Sequence, residues 1–153
     1  MKNATTAVAA TILGSLLPSL LAAAQEVPRS TDVRVQEPSA DVPISCRAFS
    51  GGWGNGKWSD GRTGELWVEK INSDCTAEVV YGWGPLPSSR SHPNGGFRRV
   101  KATITKDQLD LSLPEFSATV SYVLNGEQLR AVWQGVGGNR YSVSGVFHRI
   151  AAP

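Results

Sequence analysis

The stretch Phe49–Trp58, FSGGWGNGKW, places two tryptophans and four glycines within ten positions. Two readings compete for it: a flexible loop, or the first strand of a small closed barrel. The residues that follow decide between them. From Gly64 onward apolar and polar residues alternate with period 2, the side-chain repeat of a β-strand. GELWVEKI (Gly64–Ile71) and TAEVVYGW (Thr76–Trp83) are strand candidates. In FRRVKATIT, Val100, Ala102 and Ile104 share one face, and Arg99, Lys101 and Thr103 share the other. QLDLSL aligns Leu109, Leu111 and Leu113, and ATVSYVL aligns Ala118, Val120, Tyr122 and Leu124. QLRAVWQ aligns Leu129, Ala131 and Trp133. RYSVSGVFHRI aligns Tyr141, Val143, Gly145, Phe147 and Arg149. No sustained helical period follows residue 24.

Turn-forming residues separate these runs: Asn72-Ser73-Asp74, Lys106-Asp107, Asn125-Gly126 and Gly137-Gly138-Asn139. Asn125-Gly126 is the strongest hairpin signal, because both residue types tolerate positive φ. Short turns make each strand a neighbour of the last. With Phe49–Trp58 included there are about eight strands, and a meander of that size hides its edges most simply by closing. The expected fold is all-β, an eight-stranded antiparallel up-and-down β-barrel preceded by a signal peptide and a disordered or extended tail. One connection is long: Gly84–Gly96, GPLPSSRSHPNGG, with three prolines. It is expected at one mouth of the barrel, carrying Arg90 and His92 as mouth-loop candidates for ligand contact.

In such a barrel Gly51, Gly52, Gly54 and Gly56 permit sharp bending, and Trp53 or Trp58 closes the floor. The two tryptophans are five positions apart. On a regular strand they would face opposite ways, so either a bulge intervenes or one lies outside.

The remaining composition narrows the classes. A chain of 153 residues with 41% hydrophobic content suits a single packed domain. Its net charge is +2, and no basic run exceeds Arg98-Arg99, which argues against a nucleic-acid partner. Residues 1–24 read as a signal peptide: Lys2, an apolar stretch broken by Pro18, and the small-residue site Ala22-Ala23-Ala24. Pro18 and the modest apolar length argue against a membrane span. Gln25, where a lipoprotein would need cysteine, argues against a lipid anchor. Cleavage would leave a net charge of about +1. Residues 25–44 are polar, Pro-containing and without aromatics, and are expected as the tail. Residues 45–151 form the barrel domain. Secretion or a periplasmic location follows from the signal.

Export gives meaning to Cys46 and Cys75, the only cysteines. In an oxidising compartment such a pair is usually a disulfide; two free buried thiols are the alternative. In a meander the end of the second strand returns to the start of the first. Cys46 and Cys75 are therefore expected at the same barrel end, within bonding reach.

GGW (Gly51–Trp53) and GKW (Gly56–Trp58) both fit the G-x-W signature that opens the first strand of calycins, the lipocalin, fatty-acid-binding and avidin-like barrels. The segment Phe49–Ile150 resembles that superfamily. In lipocalins an arginine near the end of the last strand packs over this tryptophan, and Arg149 occupies the matching place. The resemblance thus implies barrel closure through Trp53 and Arg149. The chain departs from lipocalins in its shorter barrel, in lacking a helix after the last strand, and in lacking the second lipocalin signature. Its size is closer to an avidin's, but the biotin-pocket positions do not match one by one, and biotin binding is not implied. YGWG (Tyr81–Gly84) completes a layout similar to small exported bacterial lipocalin-like domains.

No catalytic constellation is present: no G-x-S-x-G elbow, no phosphate-binding loop, and no His in short-range pattern with Asp and Ser. His92 and His148 are not at ligand spacing from a cysteine, so no metal is expected, and no cofactor. Glu65, Glu69 and Glu78 could meet as carboxylates, but beside Lys57 and Lys70 they read as surface charges. The ligand-binding candidates are Trp67, Tyr81, Trp83, Tyr122 and Trp133, with plain core filling as the alternative. The leading expectation is an exported, non-enzymatic binding protein for a small apolar or amphipathic ligand. A second is a protein-binding module for a secreted partner. Some bacterial metalloprotease inhibitors resemble this plan, and the arm Gln25–Pro43 would then enter the enzyme's cleft. A third, an enzyme using His92 and a carboxylate, requires His92 to face inward.

Overall fold

The computed structural model describes residues 27, 32–89, 93–138 and 140–151. The expected signal segment, Arg90 and His92 lie outside the described residues. A single helical turn, α1 (Ile44–Arg47), precedes eight strands. These are β1 (Gly51–Trp58), β2 (Thr63–Ile71), β3 (Thr76–Trp83), β4 (Gly96–Thr105), β5 (Gln108–Leu113), β6 (Ala118–Asn125), β7 (Gln128–Gly135) and β8 (Ser142–Ile150). Every strand pairs antiparallel with its neighbours in chain order, and β1 also pairs with β8. The sheet is thus a closed eight-stranded up-and-down β-barrel, the architecture that the alternation and short turns lead one to expect.

Two local details depart from the sequence reading or resolve it. The β6–β7 turn is centred on Gly126-Glu127, with Asn125 and Gln128 as the last strand pair. Of these residues only Gly126 has positive φ, 61°. The turn therefore sits one residue later than Asn125-Gly126. A glycine with positive φ at the first central position is what a type II′ turn requires, and that releases Asn125 to the strand. In β1 the pairing with β2 shifts register between Trp53 and Gly56, and Asn55 takes φ 52°. This bulge lets Trp53 and Trp58 both face inward, one at each end of the barrel. Trp53 is the floor residue, packed with Phe49 in the core.

The glycines of β1 also serve close approach. A Cβ on Gly56 would lie 2.3 Å from the Phe147 ring and 2.8 Å from the Gly64 carbonyl oxygen. Phe147, fully buried on β8, can therefore enter the interior only because positions 56 and 64 lack side chains. On the outer face, a Cβ on Gly52 would strike the Trp67 ring at 2.3 Å.

The floor is closed by three linked devices. Cys46 in α1 and Cys75 in the β2–β3 turn form a disulfide, with Cα atoms 5.8 Å apart. The Trp53 indole Nε1 donates to the Phe49 carbonyl at 2.9 Å. Arg149 lies over the Trp53 ring and donates to the carbonyls of Ala48 and Ser50. The lower interior is filled by side chains from alternating positions, among them Leu109, Leu111, Val120, Tyr122 and Leu129.

Residues 32–43 contain no helix or strand, yet they are tied along the barrel wall. The Gln36 amide donates to the Glu69 carbonyl at 2.7 Å, and the Arg34 amide to Glu69 Oε1 at 3.0 Å. Arg99 grips the same carboxylate through Nε at 2.7 Å and Nη2 at 3.0 Å, and reaches Asp32 at 3.4 Å. Further toward the other end of the wall, Val27 is buried where a Cβ on Gly82 would meet it at 2.9 Å.

Candidate functional site

An up-and-down barrel gathers every second connection at the same end. The end opposite the disulfide receives the β1–β2 turn, the β3–β4 loop, the β5–β6 connection and the β7–β8 connection. Between them opens a cavity of about 450 Å³, of the size that holds a small organic ligand. Six aromatic residues line it: Trp58, Tyr81, Trp83, Phe116, Trp133 and Tyr141.

Strand alternation explains this grouping. Tyr81 and Trp83 are two positions apart on β3, so both point inward, and their rings stack 5.7 Å apart at 27°. Phe116, in a 3-10 turn spanning Pro114–Phe116, meets the Trp83 ring edge-on at 5.1 Å. Trp133 on β7 meets Tyr141 at 5.7 Å, also edge-to-face. Trp58, at the end of β1, packs edge-on against Phe147 at 5.2 Å. The Trp83 indole donates to the Asn94 carbonyl at 3.2 Å, which ties the long loop to the wall.

The polar part of the wall comes from the β1–β2 turn. The Asp60 carboxylate accepts from the Tyr141 hydroxyl at 2.8 Å and from the Arg62 amide at 3.0 Å. It also forms an ion pair with the Arg62 guanidinium at 3.4 Å. Asp60 and Arg62 are the only charged residues lining the cavity among those described. Burial pushes the Tyr81 hydroxyl far above its usual range, with Arg62 opposing and Asp60 adding to the shift. Burial, and then the bond to Asp60, raise Tyr141 in the same sense. Both phenols therefore stay protonated and neutral, with the Tyr141 proton committed to Asp60.

The candidates named from sequence fall into four places. Tyr81, Trp83 and Trp133 come together at the cavity. Tyr122 lies deeper, fully buried in the core, with its ring 5.5 Å from Phe147. Trp67 is on the outer face of β2: it pairs across strands with Gly52 and Val80, while its neighbours Leu66 and Val68 point into the core. Its indole donates to Glu65 at 3.2 Å. Trp53, Arg149, Cys46 and Cys75 are at the floor. The carboxylates considered together do not meet: Glu65 receives Trp67, Glu69 receives Arg99, and Glu78 lies opposite Lys101.

Sequence reasoning missed Trp58 as a wall residue, and with it Asp60, Arg62, Phe116, Tyr141 and Val143. The signal for them is topological: they sit in or beside the alternate connections that share an end with the long loop.

No protein-family model matches the chain, and no curated protein is similar to it in sequence. The site's own geometry therefore carries the functional argument.

Proposed function

We propose that this chain is an exported, calycin-like binding protein whose barrel mouth takes a small apolar or amphipathic ligand. The observation that carries the reading is the cavity of about 450 Å³ walled by six aromatic rings at an open barrel end. Aromatic walls supply large contact area at low entropic cost, and the Asp60–Arg62 pair supplies a polar edge that can orient an amphipathic molecule. Two observations support calycin-like character: the Gly51–Trp53 start, and the Arg149 guanidinium over Trp53. The Cys46–Cys75 bond suits an oxidising compartment, in keeping with the signal-like first 24 residues. Among the described residues no helix is long and apolar enough to cross a membrane.

The inhibitor reading has less behind it. An arm entering a partner's cleft would have to leave Glu69 on β2 and Arg99 on β4, which hold residues 32–36 to the barrel wall.

The test is a titration with the neutral dye N-phenyl-1-naphthylamine, read by its fluorescence enhancement. Saturable binding to the purified chain, abolished by Val143→Trp with the fold intact by circular dichroism, supports the reading. Val143 lines the cavity, and a tryptophan there fills it. No saturable binding, or binding indifferent to Val143→Trp, contradicts the reading.

A further inference from the structure

Resting on the cavity reading above, we infer that the ligand is a planar apolar molecule with a neutral acceptor group, such as a ketone, lactone or amide carbonyl, that receives a hydrogen bond from Arg62.

Buried polar side-chain atoms are almost always paired, so the exceptions carry information. Three such atoms have no partner among the described residues: Trp58 Nε1, Arg62 Nε and the Tyr122 hydroxyl. All three can donate, and none is a carboxylate or carbonyl oxygen. Two belong to residues lining the cavity, while Tyr122 lies deeper, its ring packed on Phe147. The two cavity residues among them bring donors only, and Arg62, whose side chain keeps 21% exposure although its Nε is covered, is the one that a ligand's acceptor can reach.

Arg62 is the donor best placed to meet it. Arg62 lines the cavity, and among the described residues its guanidinium pairs with Asp60 alone, through Nη2 at 3.4 Å. Asp60, by contrast, already takes Tyr141, the Arg62 amide and the guanidinium.

Charge decides between a neutral and an anionic acceptor. Asp60 and Arg62 cancel, and no other charged residue lines the cavity among those described. A carboxylate ligand would leave one net negative charge in a site walled by aromatic rings, where an uncompensated charge is costly. A carbonyl oxygen takes the same hydrogen bond and leaves the balance at zero. The stacked Tyr81–Trp83 pair and the edge-on Phe116 and Trp133 rings suit a flat hydrocarbon body.

Three probes of one shape separate these terms: 2-acetylnaphthalene, 2-ethylnaphthalene and 2-naphthoate, each displacing N-phenyl-1-naphthylamine from the full chain. The ketone is expected to bind about tenfold or more tighter than the hydrocarbon, the worth of a hydrogen bond to a charged donor. Naphthoate is expected to bind no tighter than the ketone. Arg62→Met should bring the ketone's affinity down to the hydrocarbon's, the two being compared on that same variant. Asp60→Asn, which leaves Arg62 uncompensated, should move the preference to naphthoate. Equal affinity for ketone and hydrocarbon overturns the inference and leaves the cavity reading standing. So does naphthoate binding tightest to the unaltered chain; neither comparison depends on a variant that folds. Failure of all three probes and of the dye to bind removes both readings together.

Discussion

Arg149 on β8 lies over the indole of Trp53 on β1, 4.1 Å from the ring centroid, and the two are direct cross-strand partners. The same guanidinium holds the Ala48 carbonyl at 2.5 Å and the Ser50 carbonyl at 2.7 Å. One side chain thus fastens the last strand to the first and to the chain leaving α1. Arg149→Ala should cost about 2–3 kcal/mol, combining the cation–π contact with the lost hydrogen bonds. Arg149→Lys should recover only part of it, because an ammonium cannot reproduce the planar fork that bridges two carbonyls. Urea unfolding of the two variants gives both numbers, and equal stability of all three proteins would remove the latch from the account.

The disulfide pins α1 to the β2–β3 turn across a sequence separation of 29. Reducing it, or replacing both cysteines by serine, should lower stability by about 3–4 kcal/mol. The cost should appear as a shift of the urea midpoint. The mouth lies at the other end of the barrel, so dye binding by the folded fraction should be unchanged.

Lys106, in the two-residue turn between β4 and β5, takes φ 57° without being glycine. A side chain in that region costs about 1–2 kcal/mol, against a smaller entropic loss for glycine. Lys106→Gly should therefore stabilise the barrel by about 0.5–1 kcal/mol, measured as a raised thermal midpoint. A lowered midpoint would mean that the turn relies on the lysine side chain.

The Glu69 carboxyl is held below its usual range, first by the Arg99 hydrogen bonds and then, against the opposing effect of burial, by the Arg34 amide. A group depressed in the folded state adds stability above its unfolded value, about 4.3, and loses it as pH falls through the folded value. Attachment of residues 32–36 should therefore weaken below about pH 4. Protection factors of the Arg34 and Gln36 amides, followed by hydrogen exchange from pH 7 to pH 3, should fall over that range. In Glu69→Gln they should be low throughout and insensitive to pH.

Strand positions were legible because one face of each strand is buried and the other wet, which writes the period of 2 into the sequence. β5, Gln108–Leu113, matches the alternating run residue for residue. The pairing of Cys46 with Cys75 was legible from their being the two cysteines behind a signal-like segment, and from the meander connectivity that brings them to one barrel end. Trp67 was misleading for a definite reason. Its outer face on β2 is covered as well, so Leu66, Trp67 and Val68 are all buried and the alternation disappears there. Residues 32–36 carry no alternation to read, because what ties them to the wall is backbone hydrogen bonds and an ion pair, neither of which needs apolar residues. Asp60 and Arg62 lay in an ordinary-looking turn, SDGR. Their importance comes from Tyr141, 81 residues away, reaching the same carboxylate.

The central claim is that the aromatic mouth holds a small molecule. Native mass spectrometry of the protein purified from its own source tests it most directly. The account predicts a discrete small-molecule adduct that Val143→Trp loses while remaining folded. A bare chain mass from gently handled protein, together with an adduct-free and dye-inert mouth, would contradict it.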